Sequence, residues 1–225
     1  IVGLLNGALP FTLISWGEQY ISSGLTALLQ ATVPIFTVIL AHFLTEDDRF
    51  TPQKIAGTLL GFTGVGVLML PELREGVSAS LLGQLAIVGA SVSYAIASIY
   101  ARKRLHGQSP FVSAAGQFTT GFIYILPLSL LIDRPFPLRL SGAVLASWLT
   151  LALLGTVIAY SIYYILLQRT SATFTTTVTY IVPINGLILG ALILGETISP
   201  NVLLSLALIF SGVLLVRLRT AKNAH

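Results

Sequence analysis

Eight apolar runs, at about 1–17, 23–45, 54–71, 79–101, 110–132, 143–167, 172–195 and 199–217, leave this chain little to fold into except helices packed in hydrocarbon. A helix rising about 1.5 Å per residue needs roughly 17 to 25 apolar residues to cross a bilayer core. A barrel strand would be about half as long and would alternate in polarity, whereas these runs are continuously apolar. A charge at the centre of such a run opposes insertion by about 2.5–3.5 kcal/mol. Accordingly, the 12 Lys and Arg and the 8 Asp and Glu fall in connections or at run ends. With 55% hydrophobic and 9% charged residues and a mean hydropathy of +0.89, the expected fold class is all-α, a polytopic integral membrane helix bundle.

Sidedness follows from where the basic residues sit. Assigning the connections alternately to two sides puts Arg49, Lys54, Arg102, Lys103, Arg104, Arg169, Arg217, Arg219 and Lys222 on one side. Only Arg74, Arg134 and Arg139 fall on the other. That bias makes the first side cytoplasmic, together with the tail at 218–225. The net charge of +4 therefore reports orientation, and nucleic acid is not expected as a partner. With no cysteine, disulfides and thiol chemistry are excluded. His42, His106 and His225 lie at no metal-ligand spacing, so neither a metal nor a cofactor is expected.

The chain repeats itself. A shift of 149 residues lays Thr12 on Ser161, Gln19 on Gln168, Ser22 on Ser171, Thr26 on Thr175 and Pro34 on Pro183. A shift of 148 lays Pro52 on Pro200 and Gly64 on Gly212. Spans one to three thus match spans six to eight. An odd number of spans separates each pair, so matched spans cross in opposite directions, as in the inverted repeats of secondary carriers. Spans four and five have no counterpart here, which predicts a ten-helix parent whose first two helices are absent from this sequence. The expected division is 1–71 for the last three helices of a first repeat and 79–217 for a complete second repeat.

The stretches "SSGLTALLQATVPIFTVILAHFL", "PQKIAGTLLGFTGVGVLML" and "PINGLILGALILGETIS" resemble the EamA-type transporters of the drug/metabolite transporter superfamily. The resemblance covers essentially the whole chain. It implies a multi-pass protein of the bacterial plasma (inner) membrane with cytoplasmic termini and a central cavity, exporting amino acids or other small metabolites. Its partners would be a small-molecule substrate and the lipid bilayer, with a homodimer open to it. The departures are the two absent helices and "TEDD" where the second half has "GE".

The residues themselves place a candidate site. A proline within a helix removes a hydrogen bond, and in hydrocarbon the freed carbonyl needs a neighbour or a cavity. Pro34 and Pro183, at matched depth, are expected to bend spans two and seven beside a midplane cavity. Thr26 and Gln30, and likewise Thr175 and Thr179, lie one turn apart, and polar groups at this depth should face inward. Thr12 and Gln19 in span one, Ser91, Tyr94 and Ser98 in span four, and Tyr160 and Tyr164 in span six extend the lining; Asn185 follows the second proline. The GxxxG pairs Gly57/Gly61 and Gly186/Gly190 are expected to let helices approach closely. No midplane carboxylate and no nucleophile with its base occur in the spans, so an enzyme is not expected. The functional expectation is a secondary carrier working by alternating access around an uncharged cavity, against a membrane-embedded enzyme, a passive channel or a sensor subunit as alternatives. A green fluorescent reporter fused after His225 should fluoresce in intact bacteria, and alkaline phosphatase fused there should stay inactive; the reverse pattern would invert the orientation.

Overall fold

The computed structural model describes residues 1–46, 49–132, 141–176, 181–193, 195 and 198–217, and helices fall on all eight expected spans. Span one begins with wide π-helical turns at Leu4–Ala8 and continues as α1 (Leu9–Gly17). Span two is α2 (Ser23–Gln30) and α3 (Val33–Leu44). Then follow α4 (Pro52–Glu75), α5 (Ala79–Arg104) and α6 (Pro110–Ile132). Span six is α7 (Gly142–Thr150), π-helical turns at Leu151–Ile158 and α8 (Ala159–Arg169). The last elements are α9 (Ala172–Thr176), α10 (Ile181–Ile193) and α11 (Pro200–Arg217). Five of these helical stretches are long and apolar enough to cross a membrane, and two shorter apolar helices accompany them. α7 and the π-helical turns after it bury no side chain, so their Leu, Val and Ile side chains face outward, as a bilayer solvent requires.

Helix starts are set locally by hydroxyls. Ser22 Oγ accepts from Leu25 N–H at 3.3 Å, and the matched Ser171 Oγ accepts from Phe174 N–H at 3.1 Å. Thr51 Oγ1 caps Lys54 N–H at 3.3 Å ahead of Pro52, and Ser199 Oγ caps Val202 N–H at 3.4 Å ahead of Pro200. A proline in the first turn costs nothing, because its missing N–H would have had no helical partner there. Inside the spans Thr12 Oγ1 donates back to the Ala8 carbonyl at 2.8 Å, and Ser161 Oγ donates to Val157 at 2.6 Å. Each pair lies 148 or 149 residues apart and does the same work in both halves.

Packing between the halves has the same reciprocity. A Cβ on Gly64 would sit 3.0 Å from the Ser205 carbonyl oxygen and 2.8 Å from Ile209 Cγ1. A Cβ on Gly212 would sit 2.4 Å from the Gly57 carbonyl oxygen and 2.9 Å from Gly61 N. Adding 148 to Gly57 and Gly61 gives Ser205 and Ile209, so α4 and α11 meet as two copies of one surface about a local two-fold axis. Span two crosses span seven similarly: α2 packs on α10 and α3 on α9. Gly186 admits Ala27 there, where an added Cβ would lie 2.5 Å from the Ala27 Cβ. Two apolar cores flank this crossing, one around Leu28, Leu29, Leu68, Ile87 and Ile209, the other around Ala41, Ile99, Ala101 and Leu167.

Pro34 acts more sharply than a bend. α2 ends at Gln30, and α3 restarts at Val33 with Pro34 in its first turn; Ala31 N–H and Thr32 N–H reach back only to Leu28 and Leu29, both at 3.1 Å. Pro183 lies within α10, and residues 177–180 ahead of that helix lie outside the described residues. Replacing Gly212 by Ala should cost about 1–3 kcal/mol through overpacking against backbone. Replacing Gly66, whose added Cβ meets nothing within 4 Å, should leave stability unchanged or slightly raised. Thermal unfolding of the two variants in detergent checks this; equal melting temperatures would remove the close approach.

Candidate functional site

A cavity of about 290 Å³ lies where spans two and seven meet. Gln30 and Val33 line it from the two sides of the first break, Thr175, Thr176 and Val182 from span seven. Asn6 enters from the π-helical turns of span one, Tyr94 from α5, and Ala159, Tyr160 and Tyr163 from α8. The two sets of π-helical turns are themselves matched, since Leu4–Ala8 shifted by 149 falls within Leu151–Ile158. Such turns widen the helix and turn side chains off the regular stripe, and they recur at functional sites. Among the described residues no charged side chain lines the cavity.

One wall is a polar network buried among α6, α8 and the start of span one. Gln117 Oε1 accepts from Asn6 Nδ2 at 2.8 Å and from the Tyr164 hydroxyl at 2.5 Å. Gln117 Nε2 donates to the Asn6 carbonyl at 3.4 Å. The rings stack edge-on in series: Phe118 to Tyr160 at 4.8 Å, and Tyr163 to Tyr164 at 5.6 Å. An aromatic wall with amide and hydroxyl tips can hold an apolar body and orient a polar head without ionising anything.

The sequence-predicted residues divide by place. Gln30, Tyr94, Tyr160 and Thr175 line the cavity together. Tyr164, Ser91 and Ser98 are buried behind it: the Ser91 hydroxyl bonds the Ile87 carbonyl at 3.1 Å and the Leu29 carbonyl at 3.4 Å, and Ser98 bonds Ala95 at 2.9 Å. Thr26 is buried, and its Oγ1 has no partner among the described residues. Thr12 and Gln19 line a separate groove between α1 and α6, with Trp16 and Leu128. Asn185 is exposed, and Thr179 lies outside the described residues. The Leu29 carbonyl at the break is not left open, because the Thr32 hydroxyl donates to it at 2.7 Å alongside Ser91. Asn6, Gln117, Tyr163 and Thr176 are additions that sequence reasoning missed. An isolated amide in an apolar span is the signal that singles out Gln30, and it applies equally to Asn6 and Gln117.

The chain matches the EamA-like transporter family over residues 1–70 and 81–218. It belongs to that family. An EamA-like chain is a multi-pass membrane transporter. It is similar to the uncharacterized transporter YoaV of Bacillus subtilis, 24% identical over 95% of this chain and 73% of that protein. It is 25% identical to Protein PecM of Dickeya dadantii over 96% of this chain and 72% of that one. The uncharacterized inner membrane transporter YedA of Escherichia coli is 27% identical over 97% and 70%. A solved crystal structure of a protein, 21% identical, shares the fold with a TM-score of 0.66 over 96% of this EamA-like chain and 73% of that one. Among the described residues no cluster of His, Asp or Glu could hold a metal.

Replacing Gln117 by Leu strands the Asn6 amide and the Tyr164 hydroxyl, and each buried group left unpaired should cost about 1–3 kcal/mol. Adding Asn6→Leu and Tyr164→Phe to Gln117→Leu should recover part of the lost stability. Melting temperatures of the single and triple variants decide; a triple variant less stable than Gln117→Leu would dissolve the network.

Proposed function

We propose that this protein is a secondary carrier exporting small amphipathic metabolites, amino acids among them, from the cytoplasm by alternating access. The supporting observation is the cavity at the crossing of spans two and seven, lined by amides, hydroxyls and phenols. At about 290 Å³ it sits at the small end of the roughly 300–1,000 Å³ typical of ligand pockets, which favours a metabolite over a drug-sized molecule. Its lining of Asn6, Gln30, Thr175, Thr176 and three tyrosines offers hydrogen bonds without a fixed charge. A zwitterionic solute with an apolar side chain fits that chemistry, since amides and hydroxyls solvate both ends while the rings cover the body.

The moving parts are the two repeats, 1–71 and 79–217, with the tail at 218–225 and the basic end of the bundle in the cytoplasm. Their crossing through α2, α3, α9 and α10 supports rocking, because α3, restarted at a proline, can tilt relative to α2 without breaking further hydrogen bonds. The similarity to YedA, named an inner membrane transporter, supports an inner-membrane setting. Substrate contacts come from Gln30, Tyr94, Tyr160 and Thr175; Tyr164, Ser91 and Ser98 hold their backing. Thr12, Gln19, Thr26, Thr179 and Asn185 remain assigned to the path that opens as the repeats tilt.

The full-length protein reconstituted in liposomes preloaded with an unlabelled amino acid should accumulate the labelled one by counterflow, saturably. Losing one polar contact of about 1–2 kcal/mol should raise KM roughly 5- to 30-fold in Gln30→Ala or Tyr160→Ala. Flux that rises linearly with concentration and ignores counter-substrate would make the protein a channel instead. Wild-type kinetics in a folded double variant would move the site elsewhere.

A further inference from the structure

A second, larger recess opens at the basic end of the bundle. It measures about 740 Å³ and is lined by Arg102, Lys103 and His106 from the end of α5 and the turn after it, Gln168 and Arg169 from α8, Thr170 and Ser171, and Thr45 and Glu46. Unlike the neutral cavity, it gathers three permanent cations against one described carboxylate. Asp47 and Asp48 follow Glu46 in the chain and lie outside the described residues.

Arg102 is fixed at the rim, because its Nε–H donates to the Thr170 carbonyl at 3.0 Å and so sets the plane of the guanidinium. That bond also joins the end of α5 to the α8–α9 connection. Gln168 is held similarly, its Nε2 donating to the Gln108 carbonyl at 2.5 Å. A planar guanidinium anchored on one edge, a lysine beside it and an arginine across the recess suit oxyanions, which take several N–H donors at once. The Thr170 hydroxyl pairs with that of Thr175 at 2.9 Å. Thr170 lines the basic recess and Thr175 the neutral cavity, so one hydrogen bond separates the two.

We propose that this recess is an anion-binding site, taking a phosphate or carboxylate group between the end of α5 and the α8–α9 connection. The group comes either from a free cytoplasmic anion or from the headgroup of an anionic lipid; both present the same oxygens at the membrane surface. A bound anion bridges Lys103 and Arg102 to Arg169 and strengthens the tie that Arg102 already makes.

The test is thermal unfolding of the full-length protein in neutral detergent with added inorganic phosphate, against chloride at equal ionic strength. A second arm uses nanodiscs of pure phosphatidylcholine or with added phosphatidylglycerol. Variants are Lys103→Ala, Arg169→Ala and Glu46→Gln, which spare the anchored Arg102. Stabilisation by phosphate, with its half-maximal concentration raised about five- to tenfold in Lys103→Ala and Arg169→Ala and lowered about two- to threefold in Glu46→Gln, establishes a free-anion site. Stabilisation only by phosphatidylglycerol, lost in the same two variants, establishes a headgroup site. Folded wild type and variants that respond identically to phosphate and to phosphatidylglycerol overturn the proposal. Neither arm depends on transport, so a failure here leaves the counterflow result to be judged separately.

Discussion

Hydrocarbon supplies no hydrogen bonds, and this single constraint shapes the structure wherever a helix is interrupted. At the break after Gln30 the chain uses two remedies. The amides of Ala31 and Thr32 tighten onto Leu28 and Leu29, and the hydroxyls of Thr32 and Ser91 converge on the Leu29 carbonyl. Ser91 belongs to α5, so the repair of one span is made by another. A break repaired in this way can persist inside a membrane protein, and it leaves Gln30 and Val33 facing a cavity rather than lipid.

The second organising fact is reciprocity. Helices that all present Leu and Val to lipid gain little from hydrophobic association with one another, so close backbone approach through glycine becomes the main source of specific packing. Gly64 and Gly212 each meet the other half's counterpart of the surface they themselves belong to. Caps, back-bonded hydroxyls and π-helical turns recur at the same spacing. Around such a pseudo-symmetric frame the halves differ at the cavity lining. Asn6 faces the cavity from the first set of π-helical turns, while its counterpart at 155 is a glycine.

Polarity is graded along the bundle. Beside the crossing of the spans Asn6, Gln117 and Tyr164 satisfy one another, and the basic end holds guanidinium and ammonium groups over an open recess. The Thr170–Thr175 pair stands at the boundary between the two environments. A neutral interior and a charged mouth are what burial costs allow, since an unpaired charge is tolerable only where water or a headgroup can reach it.

Span number, the helical class, matched halves and the inward placement of Gln30, Tyr94, Tyr160 and Thr175 could be read from the sequence, because run length, charge placement and repeat spacing are one-dimensional records of the bilayer's demands. The family resemblance was carried by the stretches around Pro34, Gly57 and Pro183 themselves. What only the tertiary structure decided was which polar groups answer which. Nothing local marks Gln117 as the shared acceptor of Asn6 and Tyr164, since the three lie 111 and 47 residues apart in the chain. Nor does the sequence say that Pro34 would end one helix and start another, or that Thr12 and Gln19 would face a groove against α6. A side chain's type records the cost of leaving it unpaired, but its partner is chosen by how whole helices cross, and that crossing depends on glycines and carbonyls from both halves at once.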